Sequence, residues 1–466
     1  MTVSRNLLVK GAIWTAGVFS VGQLLRLATN ITLARLLAPE LFGIMQIVYS
    51  LRNGIELISD VGISQNIIFN KNANEPDFYN TAWSLQLIRG IILGIIFSIA
   101  SVPFARFYQS SILVLIIPIV GLSLIISGFS SASNSLVRKW MNYRRIATYD
   151  TIVALIFSVI QIILAYLSPT IWALVFGSVI ATIIPVIGSH FLLPNFRHRF
   201  FISRQYAVQI LSFGKWIFVS SIIYFLSTNF DRLYLAKTIP LELLGVYGIA
   251  RTLSELVSAA VQQLGSSVIF PFVSSHSYMP RTELHAQLAP IRLKFLLIAG
   301  IGFSIFAATA DLMIGILYDQ RYHAASWMLP LLILGAWFAI LSNLNESTLM
   351  GLGKPNYSVF ANSGKFGFLL AGLALSVTHL GVLGGVLVVA ASDICRYVPI
   401  LVGQIREQFS FGKQDFLATL AVFGLIALWE WLRCLAGFGT SFDAFPTNIY
   451  LIFWQTLHSI LLSALF

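Results

Sequence analysis

Apolar runs recur from one end of this 466-residue chain to the other, each near the roughly 20 residues a helix needs to cross a bilayer. Fourteen candidate spans fall near 11–33, 41–68, 79–103, 111–133, 148–168, 171–193, 207–235, 242–272, 287–316, 325–350, 357–378, 380–403, 414–435 and 448–466. With 57% hydrophobic and 10% charged residues, no long polar segment remains that could fold as a separate soluble domain. The expected fold is an all-α polytopic membrane protein of about 14 transmembrane helices. The first run is too long for a cleaved signal peptide, and Gln23 and Arg26 interrupt its far half.

The chain writes one passage twice. Residues 34–51 read ARLLAPELFGIMQIVYSL and residues 236–253 read AKTIPLELLGVYGIARTL, an offset of 202 without a gap. Ala34/Ala236, Glu40/Glu242, Leu41/Leu243, Gly43/Gly245, Ile47/Ile249 and Leu51/Leu253 are identical, and the same offset carries Trp14 onto Trp216. Two copies of one helical unit are a common plan of secondary transporters, with the substrate site between them. The expected division is a lobe of six helices over 1–200, a second over 201–410, and two added helices over 411–466.

Alternating the connections across the membrane makes the Lys/Arg count lopsided. One side collects Arg5, Lys10, Lys71, Arg138, Lys139, Arg144, Arg145, Arg197, Arg199, Arg204, Arg281, Arg292, Lys294, Lys354, Arg406 and Lys413. The other has Arg35, Arg106, Lys237 and Arg321, so sixteen stand against four. The positive-inside rule then predicts both termini in the cytoplasm. The net charge of +11, which in a soluble protein would suggest nucleic acid, is the loop bias of a membrane protein. Six spans per copy give both copies one orientation, with the repeat axis along the membrane normal.

Most chemistry is excluded by what the sequence does not contain. There is no GxxxxGK[ST] loop for ATP, no HExxH, and no close His/Cys/Asp grouping for a metal. No cofactor is expected. Cys395 and Cys434 are too few and too far apart for a disulfide framework. A membrane-embedded glycan polymerase or ligase would be expected to carry a large extracytoplasmic loop, and no loop here exceeds roughly a dozen residues. The glycine-dense GVLGG at 381–385 reads as close helix packing.

Ionisable residues inside the spans are therefore the candidate site, because a charge there costs at least about 2.5 kcal/mol. Arg26, Arg52, Arg89, Arg251 and Lys365 lie well inside their helices. Arg52 has Glu56, and Arg251 has Glu255, four residues on, so each pair shares a face and reads either as a structural ion pair or as part of a site. Arg26, Arg89 and Lys365 have no acid at that spacing, but each has an amide three residues before it, Gln23, Gln86 and Asn362. A base and an amide on one face suit a wet cavity and an anionic ligand. Pairing with acids on other helices, or snorkelling, is the competing reading. Asp231 and Arg232 read as an exposed ion pair or a loop anchor at the outer end of the seventh span, and RKWMNYRR at 138–145 as a site for anionic headgroups at the inner interface.

The passage from Ala34 to Gly43, SDVGISQNII at 59–68, NFDRLYLAK at 229–237, LLGVYGIARTLSEL at 243–256 and VIFP at 268–271 together resemble the bacterial polysaccharide flippases. These form a branch of the multidrug/oligosaccharidyl-lipid/polysaccharide exporter superfamily, and the resemblance covers essentially the whole chain. It implies two six-helix lobes around a central cavity, alternating access, and an undecaprenyl-diphosphate-linked oligosaccharide as substrate in a bacterial cytoplasmic membrane. It also implies that Arg26, Arg52 and Arg251 are the counterparts of the family's cavity arginines. Ion coupling through Glu56 or Glu255 is a further expectation, and partnership with polysaccharide polymerase machinery stays open beside contact with membrane lipids. A lipid II flippase is similar in plan. The rivals are a multidrug cation antiporter of the same superfamily and a membrane-embedded polymerase or ligase. Unpartnered charges that lean basic speak against the first, and the missing loop against the second.

Overall fold

The computed structural model describes residues 5–140, 143–193, 197–276, 278–441 and 443. No strand occurs among the described residues. They fall into two compact units that divide between Asn229 and Phe230.

The first unit holds α1 (Arg5–Leu36), α2 (Pro39–Ile58), α3 (Ile63–Phe69), α4 (Pro76–Ile99), α5 (Ser101–Phe107), α6 (Leu113–Gly128), α7 (Ser133–Lys139), α8 (Tyr143–Leu167) and α9 (Ile171–Leu192). Within it α1 packs on α8, α4 on α6, and α9 on both α6 and α8. Helix α10 (Arg204–Thr238) carries the boundary. The second unit continues with α11 (Leu241–Leu264), α12 (Phe270–Ser275), α13 (Arg281–Ala308), α14 (Ala310–Leu317), α15 (Ala325–Gly351), α16 (Asn356–Arg406) and α17 (Gly412–Leu435). Its centre is α15, packed by α11, α13, α14 and α16 and carrying the fully buried Trp337.

The first thirteen predicted spans are mostly helical, although 41–68 breaks between α2 and α3 and 111–133 between α6 and α7; the fourteenth, 448–466, lies outside the described residues. Among the described residues seven helices are long and apolar enough by themselves to cross a membrane, and α6 with α7, bent by 55°, adds an eighth. One of the seven, α16, is 51 residues long and breaks at Gly381, whose φ of 57° is a left-handed conformation a side chain would strain. The arms on either side, 356–380 and 382–406, are each ~37 Å long, enough to span. The protein is thus an all-helical, polytopic membrane protein.

The duplicated passage lies on the buried face of both copies. Proline at the first position of α2 and Glu40 in its first turn suit the start of a helix, and Glu242 does the same for α11. Behind them Ala34, Ile47 and Leu51 are buried, and so are Ala236, Ile249 and Leu253. The side chains of Trp14 and Trp216 are outside those described.

The tightest approach is between α15 and α16. A Cβ on Gly335 would stand 2.3 Å from the carbonyl oxygen of Ala390 and 2.6 Å from its Cα. Backbone cannot swing aside as a side chain can. Gly335→Ala is therefore expected to cost about 1–3 kcal/mol through forced separation of the helices. Thermal denaturation in detergent measures it, and an unchanged midpoint would contradict the packing.

The connector after α9 is fixed by His198. Its ring stacks on Trp83 with centroids 5.3 Å apart, and its Nε2 lies 2.7 Å from the Ser131 hydroxyl. Burial, with a smaller push from His190, lowers its pKa from 6.5 to about 4. An unfolded chain therefore binds a proton between those values that the folded chain refuses. The stability this burial contributes is complete above about pH 6.5 and is lost as the pH falls towards 4. Melting curves at neutral pH and near pH 5 should differ accordingly, and His198→Asn should narrow the gap. The same gap in the variant would assign it to other groups.

Candidate functional site

The second unit contains a buried ionic cluster built by α10, α11, α15 and α16. On α11, Tyr247, Arg251 and Glu255 are spaced by four and share one face. That face meets Asp231 and Arg232 of α10. The Arg251 Nε lies 3.5 Å from Asp231 and 3.0 Å from Glu255. Arg232 donates to both Glu255 oxygens at 2.9 Å, and the Tyr247 hydroxyl donates to Asp231 at 2.5 Å. Asp231 and Arg232 are therefore not an outer anchor: α10 runs on to Thr238, and Asp231 is 2% exposed.

The two arms of α16 add the rest. Lys365, on the first arm, donates to Asp393 on the second at 2.7 Å. Arg396 donates to Asn343 at 2.9 Å and Glu346 at 2.5 Å on α15. Arg251 is within electrostatic reach of Asp393. Asn362, one turn before Lys365, is also buried. The cluster balances four bases, Arg232, Arg251, Lys365 and Arg396, against four acids, Asp231, Glu255, Glu346 and Asp393. Pairing of this kind is what lets ions sit out of water. The balance is incomplete at the level of single atoms, since Asp231 Oδ1 and the Nε of Arg232 and Arg396 have no hydrogen-bond partner among the described residues. These groups form a buried polar centre with some spare bonding capacity.

The first unit gathers Arg52, Glu56 and Arg89 near the end of α2. Arg52 lies 3.6 Å from Glu56, a loose pair with both side chains partly exposed. Arg89 is spent otherwise: it donates to the Glu56 carbonyl at 2.5 Å and to the Ser59 hydroxyl at 2.9 Å, where a cation favours the C-terminal end of a helix. Gln86 likewise donates to the carbonyls of Ser127 and Ser130, at 3.3 and 3.2 Å, at the end of α6. Arg26 differs from all of these. It is exposed and makes no ion pair among the described residues, with half-buried Gln23 one turn before it.

A second buried group lies outside every sequence expectation. Arg292 of α13 is fully buried, pairs with Asp415 of α17, bonds Asn345 and Gln414 at 2.8 and 2.7 Å, and stacks on Phe411. The Lys/Arg tally places Arg292 among the loop cations, yet it falls inside the predicted span 287–316, and that position is its signal in the sequence. Trp337 to Thr419, Trp429 to Ser304 and Arg433 to Asp311 continue the attachment of α17 along its length.

Helices of this length and hydropathy, with ionic groups turned inward, define a polytopic membrane protein. The family model for polysaccharide biosynthesis proteins matches residues 32–327, and the chain belongs to that family. It is 21% identical over 328 residues to the teichuronic acid biosynthesis protein TuaB of Bacillus subtilis, covering 69% of this chain and 66% of that one. It is 20% identical to the succinoglycan biosynthesis transport protein ExoT of Rhizobium meliloti, over 66% of this chain and 62% of that one. The lipopolysaccharide biosynthesis protein WzxC of Escherichia coli is 20% identical over 82% of this chain and 77% of its own. The chain thus spans somewhat under two thirds to about three quarters of these relatives. Among solved structures, the lipid II flippase MurJ in an inward closed conformation aligns with a TM-score of 0.70 at 13% identity, over 97% of this chain and 96% of that one. An inward-facing multidrug resistance MATE transporter of the MOP superfamily aligns with a TM-score of 0.64 at 16% identity, over 85% and 98%. Both likenesses are of fold.

Proposed function

We propose that this protein is a flippase, and not an enzyme, that carries an undecaprenyl-diphosphate-linked oligosaccharide from the inner to the outer leaflet of a bacterial cytoplasmic membrane. Family membership across residues 32–327 is the observation that carries the reading. The substrate's diphosphate and glycan cannot cross hydrocarbon unaided, whereas its polyprenyl tail can stay in lipid. The helices supply polar groups for the head, and alternating access moves it. In this reading the organisation is two six-helix lobes and two added helices, both termini are cytoplasmic, and the repeat units pass to polymerase machinery outside.

Arg26 and Arg52 are the cations with capacity to meet the diphosphate first. In the second unit Arg251, Lys365 and Asn362 are the candidates for head-group contact; in the first, Gln23 stands one turn before Arg26, and Gln86 and Arg89 hold helix ends. In the balanced cluster an entering diphosphate takes the place of carboxylates, and Glu255, with its side chain 41% exposed, is the acid released most readily. Release and protonation of Glu255, or of Glu56, gives a route for ion coupling. An inside-negative potential also favours outward movement of negative charge, by roughly 2.3 kcal/mol per charge per 100 mV.

The charge balance bears on the rival. Arg26 makes no ion pair among the described residues, while Lys365 and Arg251 are neutralised by Asp393, Asp231 and Glu255. A multidrug cation antiporter is therefore the second reading. Proteoliposomes holding a fluorescent polyprenyl-diphosphate oligosaccharide separate the two. Loss of the label's accessibility from one face, driven by potential, supports the flippase; cation extrusion without lipid movement overturns it.

A further inference from the structure

We propose that the cavity between the first turns of α8 and the last turns of α9 binds an anionic glycerophospholipid. The cavity is about 450 Å³, and its polar end is formed by Arg144 and Arg145. Its walls are Tyr149, Ile152, Phe191 and Leu192. The Tyr149 hydroxyl donates to the Pro185 carbonyl at 2.5 Å, which ties α8 to α9 at its floor.

Charge complementarity selects the occupant. Both guanidiniums are exposed in the first turn of α8, where the helix dipole disfavours a cation. An anion beside them would offset that unfavourable field at the start of the helix. No acid lines the cavity, and Asp150, on the same helix, lies 3.8 Å from Arg138. Beyond the charged end, Ile152 and Phe191 are exposed, and Leu155 and Val159 continue the apolar face along α8. A phosphate head with acyl chains beneath it matches this order of charged, then apolar, surface. A free phosphate would leave the apolar wall uncovered, and a zwitterionic lipid would bring a cation towards two arginines. The inner leaflet as the lipid's source follows from the orientation proposed above; the headgroup chemistry does not depend on it.

Native mass spectrometry of the full chain in detergent, with added phosphatidylglycerol or phosphatidylcholine, tests this. Phosphatidylglycerol should be retained over phosphatidylcholine by about thirtyfold, the factor two guanidiniums supply towards an anionic headgroup. The preference should vanish in the Arg144→Ala/Arg145→Ala variant, whose sites are exposed, and persist in Arg138→Ala. Ile152→Trp, which fills the cavity but keeps both charges, should also release the lipid. Equal retention of the two lipids, or retention by the filled variant, would overturn the site. Displacement by inorganic phosphate alone would show a simple anion site. Stronger retention of undecaprenyl phosphate than of phosphatidylglycerol would assign the cavity to the transported lipid class, and either result overturns the proposal.

Discussion

Asp415→Ala is expected to destabilise the second unit by about 3–5 kcal/mol, because it removes one partner of a buried ion pair. Asp415 accepts from Arg292, from Asn345 at 2.8 Å and from Tyr397 at 2.9 Å. Without it, Arg292 remains fully buried with a full charge, two amide oxygens and the Phe411 face. The polar end of α17 would detach before the rest of that helix. An Arg292→Met/Asp415→Leu double variant should recover much of the loss, since an apolar pair leaves no stranded ion. The exposed pair Arg199–Asp77, 3.8 Å apart, should by contrast be worth less than about 1 kcal/mol. Denaturation midpoints in detergent rank the three variants. A mild Asp415→Ala would mean that the buried pair does not hold α17.

Arg26→Ala is expected to do the opposite: leave stability within about 0.5 kcal/mol and impair transport. The side chain is exposed and makes no ion pair among the described residues, so its removal should cost the fold little. If it meets the diphosphate, its removal deletes one charge-assisted contact worth about 1.5–3 kcal/mol, a rise in apparent KM of about tenfold to a hundredfold. Arg26→Lys should restore charge without the planar fork and recover part of the loss. Arg89→Ala separates the two roles, because its partners are the Glu56 carbonyl and Ser59 and its loss should lower stability first. A normal transport rate in a folded Arg26→Ala protein would remove Arg26 from the site.

What the sequence made legible follows from what is local. Hydropathy marks helices because each span is one continuous run, and thirteen runs are mostly helical. The duplicated residues were legible because burial of Ala34, Ile47 and Leu51, and of their counterparts, restricts what can stand there. Arg52–Glu56 and Arg251–Glu255 could be read from spacing alone, as four residues bring two side chains together on any helix. Lys365–Asp393 and Arg292–Asp415 could not. Their members are 28 and 123 positions apart, and only packing decides that they meet. Sequence separation likewise hid the partners of Arg89 and Gln86, whose donors reach the ends of neighbouring helices 30 to 44 positions away. Asp231 was misjudged for a simpler reason: its helix runs three residues beyond the end of the apolar run.

The most direct test of the flippase account is to delete the gene and ask which membrane leaflet holds the polyprenyl-linked oligosaccharide. The account predicts complete repeat units accumulating on the cytoplasmic leaflet, cleared by the wild-type protein and poorly by Arg26→Ala. Normal export in the deletion strain, or accumulation on the outer leaflet alone, would contradict it.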